Sequence, residues 1–499
     1  MSRFEADSPT NGTAVRSSDA PWHGAPPGAG LAGVLESVTA AEDGLADLGD
    51  FDLVELVAAA QRMESWAHHV AASAAGELAG RESMEPTATA VLLSSLTSDR
   101  VAGEEVSLRL GWSARAGQRL VQEGQGYAQH LAATGDALRA GVIDVGKARA
   151  IVDGLRDVPA ALALGVQEIV LPRAPQRTPA QLSKDVRGAI VDLDPTEAAA
   201  RRERAVSSRH VTKPKAFADG MAGLWLRTSA ADALAVFEAV DAGARTARRS
   251  GDPRSLDQLR ADLLVERALH EARCAPGTNR PRAGSCRSAV RVDLRVLVPL
   301  STLIGTEDEP GYLDDYGIID PELARALARG GTWRRLVTDP ASGTVVDVGR
   351  TRYTPPADLA EHVRFRAGSC ARPGCEASAW RCELDHTEPF HTKPFHLDPA
   401  RGGPTAARNL APLSKGCHQV KTHAGFELDQ PWQGRYRWTT PTGHVYEHEA
   451  APWLRGAGNT NQIHVIRQNL IELDATGPPR EPPEPITSPE PQDLGPPPF

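Results

Sequence analysis

Residues 369–423 read SCARPGCEASAWRCELDHTEPFHTKPFHLDPARGGPTAARNLAPLSKGCHQVKTH, and this stretch gathers side chains that are able to do chemistry. It holds four of the six cysteines of the chain, together with the dipeptides Asp385–His386, Asn409–Leu410 and Cys417–His418. Each dipeptide is common by itself and means little. The information lies in their order and in their spacing within 40 residues.

The order Asp-His, then GGxTxxxNL, then CHxxK resembles the HNH nuclease module, also called the ββα-metal fold. The resemblance implies a β-hairpin followed by a helix, with one divalent ion held between the first strand and the helix. His386 matches the family's general base, and imidazole titrates near neutral pH as that role requires. Asp385 and His418 match the ligands of the ion, and Asn409 matches a residue that braces the loop between the strands.

The implied divalent ion is Mg²⁺ or Mn²⁺, because a carboxylate ligand suits hard cations, and Ni²⁺ is a further candidate. Alternation along a strand places Asp385 and His386 on opposite faces. Lys421, one helical turn beyond His418, is expected to meet phosphate.

The resemblance also implies a structural zinc ion, since cysteine pairs bracket the hairpin in many HNH modules. The expected ligands are Cys370, Cys375 and Cys417. In the family pattern Ser414 stands where a cysteine is usual and Cys417 where a histidine is usual, and serine is a poor zinc ligand. Three alternatives follow: another residue such as Cys382 or His423 completes the site, water does so, or zinc is weak or absent.

A local excess of positive charge marks residues 399–426, which contain no Asp or Glu. The net charge of −9 argues against a protein that coats nucleic acid with its whole surface, so DNA contact requires a local patch. The candidates for this contact are Arg401, Arg408, Lys415 and Lys421. The alternative interpretation is a solvated loop that is basic without function.

The length of 499 residues predicts more than one domain. We expect an α+β protein, in which a large, mainly helical region with a few strands precedes the small ββα-metal module. The predicted units are a disordered segment 1–30, a helical region 31–355, the HNH module 356–450, a closing strand or helix 451–474, and a proline-rich disordered tail 475–499.

The helical region also resembles a known family. The segments ALRAGVIDVGKARAIV (137–152), YGIIDPELARALA (316–328) and 333–375 are similar to a bacterial protein type in which a helical region, called domain of unknown function 222, precedes an HNH module. Such two-part proteins are typical of actinobacteria. The resemblance says little about what the helical region does.

Residues 104–121 have the outline of a helix-turn-helix, with a break at Gly111 and a cap at Ser113. Its second helix can be interpreted as a DNA-reading helix. The alternative is a corner of a helical bundle, which the similar turn in residues 136–155 favours. Self-association through this region is a further expectation.

The beginning of the chain lacks the basic segment and apolar run of a signal peptide, and no stretch is apolar enough for a membrane span. The clustered cysteines favour a metal site or a reduced interior over a disulfide framework. We therefore expect a cytoplasmic protein without a membrane partner.

Three functions are compatible with these features. The first is an active metal-dependent endonuclease that cuts DNA. The second is a nucleic-acid-binding protein with a degenerate, inactive HNH module, and the third is a structural zinc module joined to a helical interaction domain. The complete set of Asp385, His386, Asn409 and His418 favours the first.

Overall fold

The computed structural model describes residues 20–41, 44–87, 96–273, 294–329, 355, 357–389 and 403–449. Helices dominate, and they are accompanied by small antiparallel sheets, which confirms the α+β class. The first helices are α1 (Ala29–Ala40), α2 (Asp50–Leu78), α3 (Ser98–Leu110), α4 (Ala114–Tyr127), α5 (Ala132–Arg139), α6 (Val145–Leu155), α7 (Ala160–Val170), α8 (Pro179–Leu193) and α9 (Pro195–Ser207).

The start of the described chain corrects one prediction. Disorder was expected up to residue 30, but Trp22 is 5% exposed and donates its indole N–H to the carbonyl of Asp52 at 3.3 Å. Arg62 donates to the carbonyl of Trp22 at 2.6 Å. Residues 20–28 therefore pack against α2, because Trp22 is buried in a hydrophobic cluster with Leu31, Leu56 and Ala59. Residues 1–19 lie outside the described residues.

The predicted turn between α3 and α4 is confirmed. Gly111 ends α3 in the left-handed conformation, at φ 66°, and the hydroxyl of Ser113 accepts a hydrogen bond from the amide of Ala116. Helix α4 packs against both α2 and α3. Its position inside the bundle agrees with the corner interpretation of this motif.

Glycines allow these three helices to approach closely. A Cβ built on Gly117 would overlap the carbonyl oxygen of Gly103 in α3, and one built on Gly124 would overlap that of Ala72 in α2. Gly117 and Gly124 are seven residues apart on α4, so they lie on nearly the same face. The bundle is therefore organised around α4 as its central helix.

Short hairpins and a second group of helices follow. They comprise β1 (His210–Val211), β2 (Lys215–Ala216), β3 (Ala222–Gly223), β4 (Leu226–Arg227), α10 (Ala230–Arg249), α11 (Leu256–Arg273), β5 (Val296–Leu297), α12 (Leu300–Ile304), β6 (Gly311–Leu313), β7 (Gly317–Ile319) and α13 (Pro321–Ala328). Strand β1 pairs with β4, β2 with β3, and β5, β6 and β7 form an antiparallel sheet in that order. Asp320 caps the start of α13, and Pro321 occupies its first position.

The C-terminal part consists of α14 (Ala357–Ala367), β8 (Glu383–His386), β9 (Leu410–Leu413), α15 (Lys415–His423), β10 (Glu427–Trp432), β11 (Arg435–Thr439) and β12 (Val445–Glu449). Strands β8 and β9 are antiparallel, and β10, β11 and β12 form a separate three-stranded sheet. The predicted closing element 451–474 and tail 475–499 lie outside the described residues.

One hydrophobic core joins the helical bundle to this C-terminal part. It includes Leu108 and Val121 of the bundle, and Leu413, Val420 and Trp438 of the C-terminal part. The site described next is therefore held rigidly against α3 and α4.

Candidate active site and metal centre

Strand β8 presents Asp385 and His386 to opposite sides, as alternation requires. His386 is 5% exposed, and its Nε2 lies 2.8 Å from the hydroxyl oxygen of Thr405. Asp385 faces α15, where its Oδ2 lies 3.6 Å from Nε2 of His418. Strand β8 and helix α15 thus bring the two predicted ion ligands together, and the predicted base is the next residue of the same strand.

The Asp385–His418 pair has a spacing that fits one shared ion. Two ligands that each lie about 2.1 Å from an ion are roughly 3 to 4 Å apart, and the observed 3.6 Å falls within that span. The carboxylate of Glu383 contacts Nδ1 of His418 at 2.5 Å. This contact directs Nε2, the other ring nitrogen, toward Asp385, in the way that a carboxylate behind a metal-binding histidine does.

Lys421 contacts the carboxylate of the candidate ion site. Its ammonium group donates to Oδ2 of Asp385 at 2.5 Å and to the carbonyl of His386 at 2.6 Å. The lysine consequently shares a ligand atom with the proposed ion site. The contact with phosphate that the sequence predicts for this residue stays a prediction.

Asn409 braces the chain that follows His386. Its Oδ1 accepts hydrogen bonds from the hydroxyl of Thr387 at 2.8 Å and the amide of Glu388 at 2.7 Å. Its Nδ2 donates to the carbonyls of Glu388 and Pro404, both at 3.0 Å. All of the side chain's polar contacts are structural, which matches the positional role expected for it.

Cys370, Cys375 and Cys417 form a cluster in which the three sulfur atoms lie within 4.8 Å of one another. Hydrogen bonds from Cys370 and Cys417 lower the pKa of the Cys375 thiol, while the pKa values of Cys370 and Cys417 are raised, chiefly by hydrogen bonding to their neighbouring cysteines. Three soft ligands with shared thiolate character, in a buried setting, fit a metal ion such as zinc.

The structure narrows the alternatives for a fourth ligand. Among the described residues neither Cys382 nor His423 belongs to the cluster. The hydroxyl of Ser414 lies 3.8 Å from the sulfur of Cys375, and its amide donates to the sulfur of Cys370 at 3.3 Å. Ser414 also caps α15 by accepting from the amide of Cys417. The serine therefore has a structural task at the position where a cysteine was expected.

The predicted nucleic-acid contacts lie in different surroundings. Arg408 and Lys415 are exposed, Lys421 is engaged with Asp385, and Arg401 lies outside the described residues.

Several residues that support the site were not predicted from the sequence. Thr405, four residues before Asn409, contacts His386, and a Cβ on Gly403 would collide with Asn409 and the carbonyl of Glu388. Buried Arg366 donates to the carbonyls of Ala407 and Leu410 at 2.7 and 2.9 Å. The only signal for Thr405 and Gly403 was their place in the GGxTxxxNL motif, and no local pattern marks Arg366.

A buried ion pair connects the cysteine cluster to the helical bundle. Arg372, 1% exposed, contacts Glu104 of α3 at 2.5 Å and donates to the hydroxyl of Ser107 at 2.6 Å. Burial raises the pKa of Glu104, and the charge of Arg372 opposes that effect. Thr440 and Thr442 both donate to the neighbouring Glu105. Two adjacent glutamates of α3 therefore bind side chains of the C-terminal part.

The chain belongs to the family called domain of unknown function (DUF222), whose model matches residues 52–367. The matched region ends just before the cysteine cluster and the hairpin. Within the described residues no helix is both long and apolar enough to cross a membrane.

Two relatives come from Mycobacterium tuberculosis (strain ATCC 25618 / H37Rv). The uncharacterized protein Rv3776 is 29% identical over 254 residues, and the uncharacterized protein Rv2100 is 28% identical over 269 residues. Each match covers 46% of this chain and 46% of the relative, so the chain spans about half the length of the curated relatives it matches. No solved structure matches the chain.

Proposed function

We propose that the chain is an HNH-type endonuclease that hydrolyses phosphodiester bonds of DNA with the help of a divalent metal ion. The observation that carries the proposal is the approach of Asp385 in β8 to His418 in α15, at 3.6 Å, with His386 as the next residue of β8. A strand–strand–helix unit with this set of side chains has the groups that phosphodiester hydrolysis requires.

Each residue has a distinct task in this mechanism. His386 takes the proton from the attacking water, and the contact with Thr405 keeps its ring in one orientation. Asp385 and His418 would hold the divalent ion, which supplies charge neutralisation at the phosphate and at the departing oxygen. Asn409 and Glu383 position the loop and the His418 ring.

The three cysteines would hold a structural zinc ion. Such an ion would link the turn that carries Cys370 and Cys375 to the first turn of α15, which carries Cys417. Because His418 follows Cys417 directly, a fixed helix start also fixes the second ligand of the divalent ion.

A nucleic-acid-binding protein with an inactive HNH module is the second candidate. The ion pair between Lys421 and Asp385 favours it, because a cation bound to this carboxylate can take the place of the divalent ion. The departure at Ser414 from the usual zinc ligand points the same way.

Incubation of the purified full chain with plasmid DNA and Mg²⁺, Mn²⁺ or Ni²⁺ distinguishes the two candidates. We expect nicking or linearisation by the parent and none by His386→Ala. Equal cutting by both proteins would refute the role of His386. If neither protein cuts but both retain DNA affinity, the second candidate is correct.

Metal analysis of the same preparation tests the zinc site. We expect zinc in the parent and its loss in Cys375→Ser, with a matched Cys382→Ser variant retaining it. Less than about a tenth of an equivalent in the parent would exclude a structural zinc ion at these cysteines.

A further inference from the structure

A pocket of about 710 Å³ opens on the helical region, away from the catalytic hairpin. It is formed by the outer side of α4, the end of α6, the C-terminal half of α9 and strand β4. Its lining residues are Arg115, Gln118, Arg119, Gln122, Asp153, Arg156, Asp157, Arg201, Arg204, Ala205, Ser208 and Arg227. We call it the arginine pocket.

The charge of this pocket is opposite to that of the chain. Six arginines and two aspartates line it, which corresponds to a formal charge of +4, whereas the whole chain carries −9. A positive concavity on an acidic protein concentrates potential and attracts a polyanion. A solvated surface without a ligand has no need of six like charges around one cavity.

Half of these guanidinium groups make no ion pair with another described residue. Asp153 pairs with both Arg119 and Arg156, and Arg204 pairs with Glu197. In the described part of the chain no ion pair reaches the other three arginines, Arg115, Arg201 and Arg227.

These three arginines differ in what they contact. Arg201 donates to the carbonyls of Arg156 and Gly154, at 2.6 and 2.9 Å, so it has a structural task at the end of α6. Arg115 and Arg227 are exposed, and neither makes a side-chain hydrogen bond to another described residue. Their charges are therefore available to a ligand.

The chemistry of the lining points to phosphate groups. Guanidinium forks bind phosphate oxygens in a two-pronged geometry. No aromatic residue lines the pocket, so it offers no surface on which a base could stack. A ligand held here would therefore be recognised through its phosphate backbone, without regard to sequence.

The arginine pocket continues toward the candidate active site. A second cavity, of about 760 Å³, shares Arg115 and Gln118 with it. That cavity adds Arg100 and reaches Ser414 and Gly416 at the start of α15. Lys415 is exposed in that first turn, and His418 follows on the same helix.

We propose that the arginine pocket binds backbone phosphates of the DNA substrate, and that Arg115 leads the bound strand along α4 toward Lys415 and the hairpin. The proposal rests on the proposed function, because that function makes DNA the substrate. It assigns the helical region a task, which is to supply sequence-independent affinity for the nuclease.

The test compares two pairs of charge-removing substitutions in a His386→Ala background, so that DNA remains intact. Arg115→Gln/Arg227→Gln alters the pocket. Arg173→Gln/Arg187→Gln removes two exposed arginines of the helical region that do not line either cavity. Affinity for a fluorescein-labelled 20-base-pair duplex is measured by anisotropy over a series of salt concentrations.

The pocket variant should lose affinity about tenfold or more at 0.15 M salt, and the slope of log K against log salt should become shallower by about 1.8, since each phosphate contact contributes about 0.9. The control pair should change affinity by less than about threefold. Equal losses in both pairs, or none in the pocket variant, would overturn the proposal. If the pocket variant loses no affinity for DNA, an acidic protein is the ligand to consider for this pocket.

A failure here can be separated from a failure of the proposed function. If the chain with His386 intact cuts plasmid and the pocket variant binds DNA as the parent does, only the pocket assignment is wrong. If the parent neither cuts nor binds DNA, the proposed function is wrong as well. Unchanged thermal unfolding of both variant pairs shows that the comparison concerns binding alone.

Discussion

The helical bundle and the catalytic hairpin are held together in different ways. In the bundle, α4 approaches α2 and α3 through glycines, and contact is between backbones. In the hairpin, side chains such as Asn409 and Arg366 donate hydrogen bonds to the backbone of neighbouring segments. The first arrangement keeps side chains out of the points of closest approach, whereas the second places ionisable groups beside one another.

This difference explains where function can reside. Close helix packing favours small residues at the helix contacts, so the interior of the bundle serves as support and its outer surface carries the arginine pocket. The hairpin is short and has little core of its own, so polar contacts determine its shape. Arg372 and Glu104 connect the two regions, and the following changes test each mode of support and the connection between them.

The largest loss of folding stability is expected from Arg372→Met, which leaves the buried carboxylate of Glu104 without its partner. Removing one partner of a buried ion pair costs about 3 to 5 kcal/mol, and Glu104 is 4% exposed. Urea denaturation followed by tryptophan fluorescence should show the loss. The double variant Glu104→Gln/Arg372→Met should recover part of the lost stability. If it is no more stable than Arg372→Met alone, the unpaired charge of Glu104 is not the cause of the loss.

The next largest loss of folding stability is expected from Gly124→Ala, which forces α2 and α4 apart. The added methyl group meets the backbone carbonyl of Ala72, which cannot move by a rotamer change. A destabilisation of about 3 kcal/mol is expected, at the upper end for overpacking. Gly188→Ala in α8 is the control, because nothing lies within 4 Å of a Cβ there. A similar loss in both variants would contradict the role given to close packing.

Glu123→Gln tests a fully buried carboxylate of α4. Burial would raise the pKa of Glu123, but hydrogen bonds from His68 and Arg149 outweigh it and lower the pKa below 4.5. A lowered folded-state pKa contributes stability above pH 4.5 that is lost as the pH falls through the folded value. We expect the variant to lose about 2 kcal/mol at pH 7.

The pH dependence distinguishes this ionisation from simple packing. The difference between Glu123→Gln and the parent should shrink as the pH falls below 4.5. A constant difference from pH 7 to pH 3, measured by urea denaturation, would show that the charge of Glu123 contributes nothing.

The smallest effect is expected from Lys421→Met, and it concerns ion affinity. The ammonium group shares Oδ2 of Asp385 with the proposed divalent ion, so its removal should tighten Mn²⁺ binding about tenfold, or about 1.4 kcal/mol. Isothermal titration with Mn²⁺ measures the change. Lys415→Met, an exposed lysine on the same helix, is the control. Weaker binding in Lys421→Met would show that the lysine supports the ion.

Local patterns predicted much of the secondary structure. The glycine stop at Gly111 and the cap at Ser113 depend on contacts within a few residues. The opposite faces of Asp385 and His386 follow from strand alternation.

What the sequence by itself determined is therefore the elements, the mainly helical class and the group of residues that form the candidate site. Only the tertiary structure decided that Arg372 pairs with Glu104, 268 positions away, that Lys421 contacts Asp385, and that six arginines line one pocket. The physical reason is the distance along the chain over which each interaction acts. Caps and alternation act between neighbours in the chain, whereas the burial and pairing of charges depend on which distant segments the core brings together.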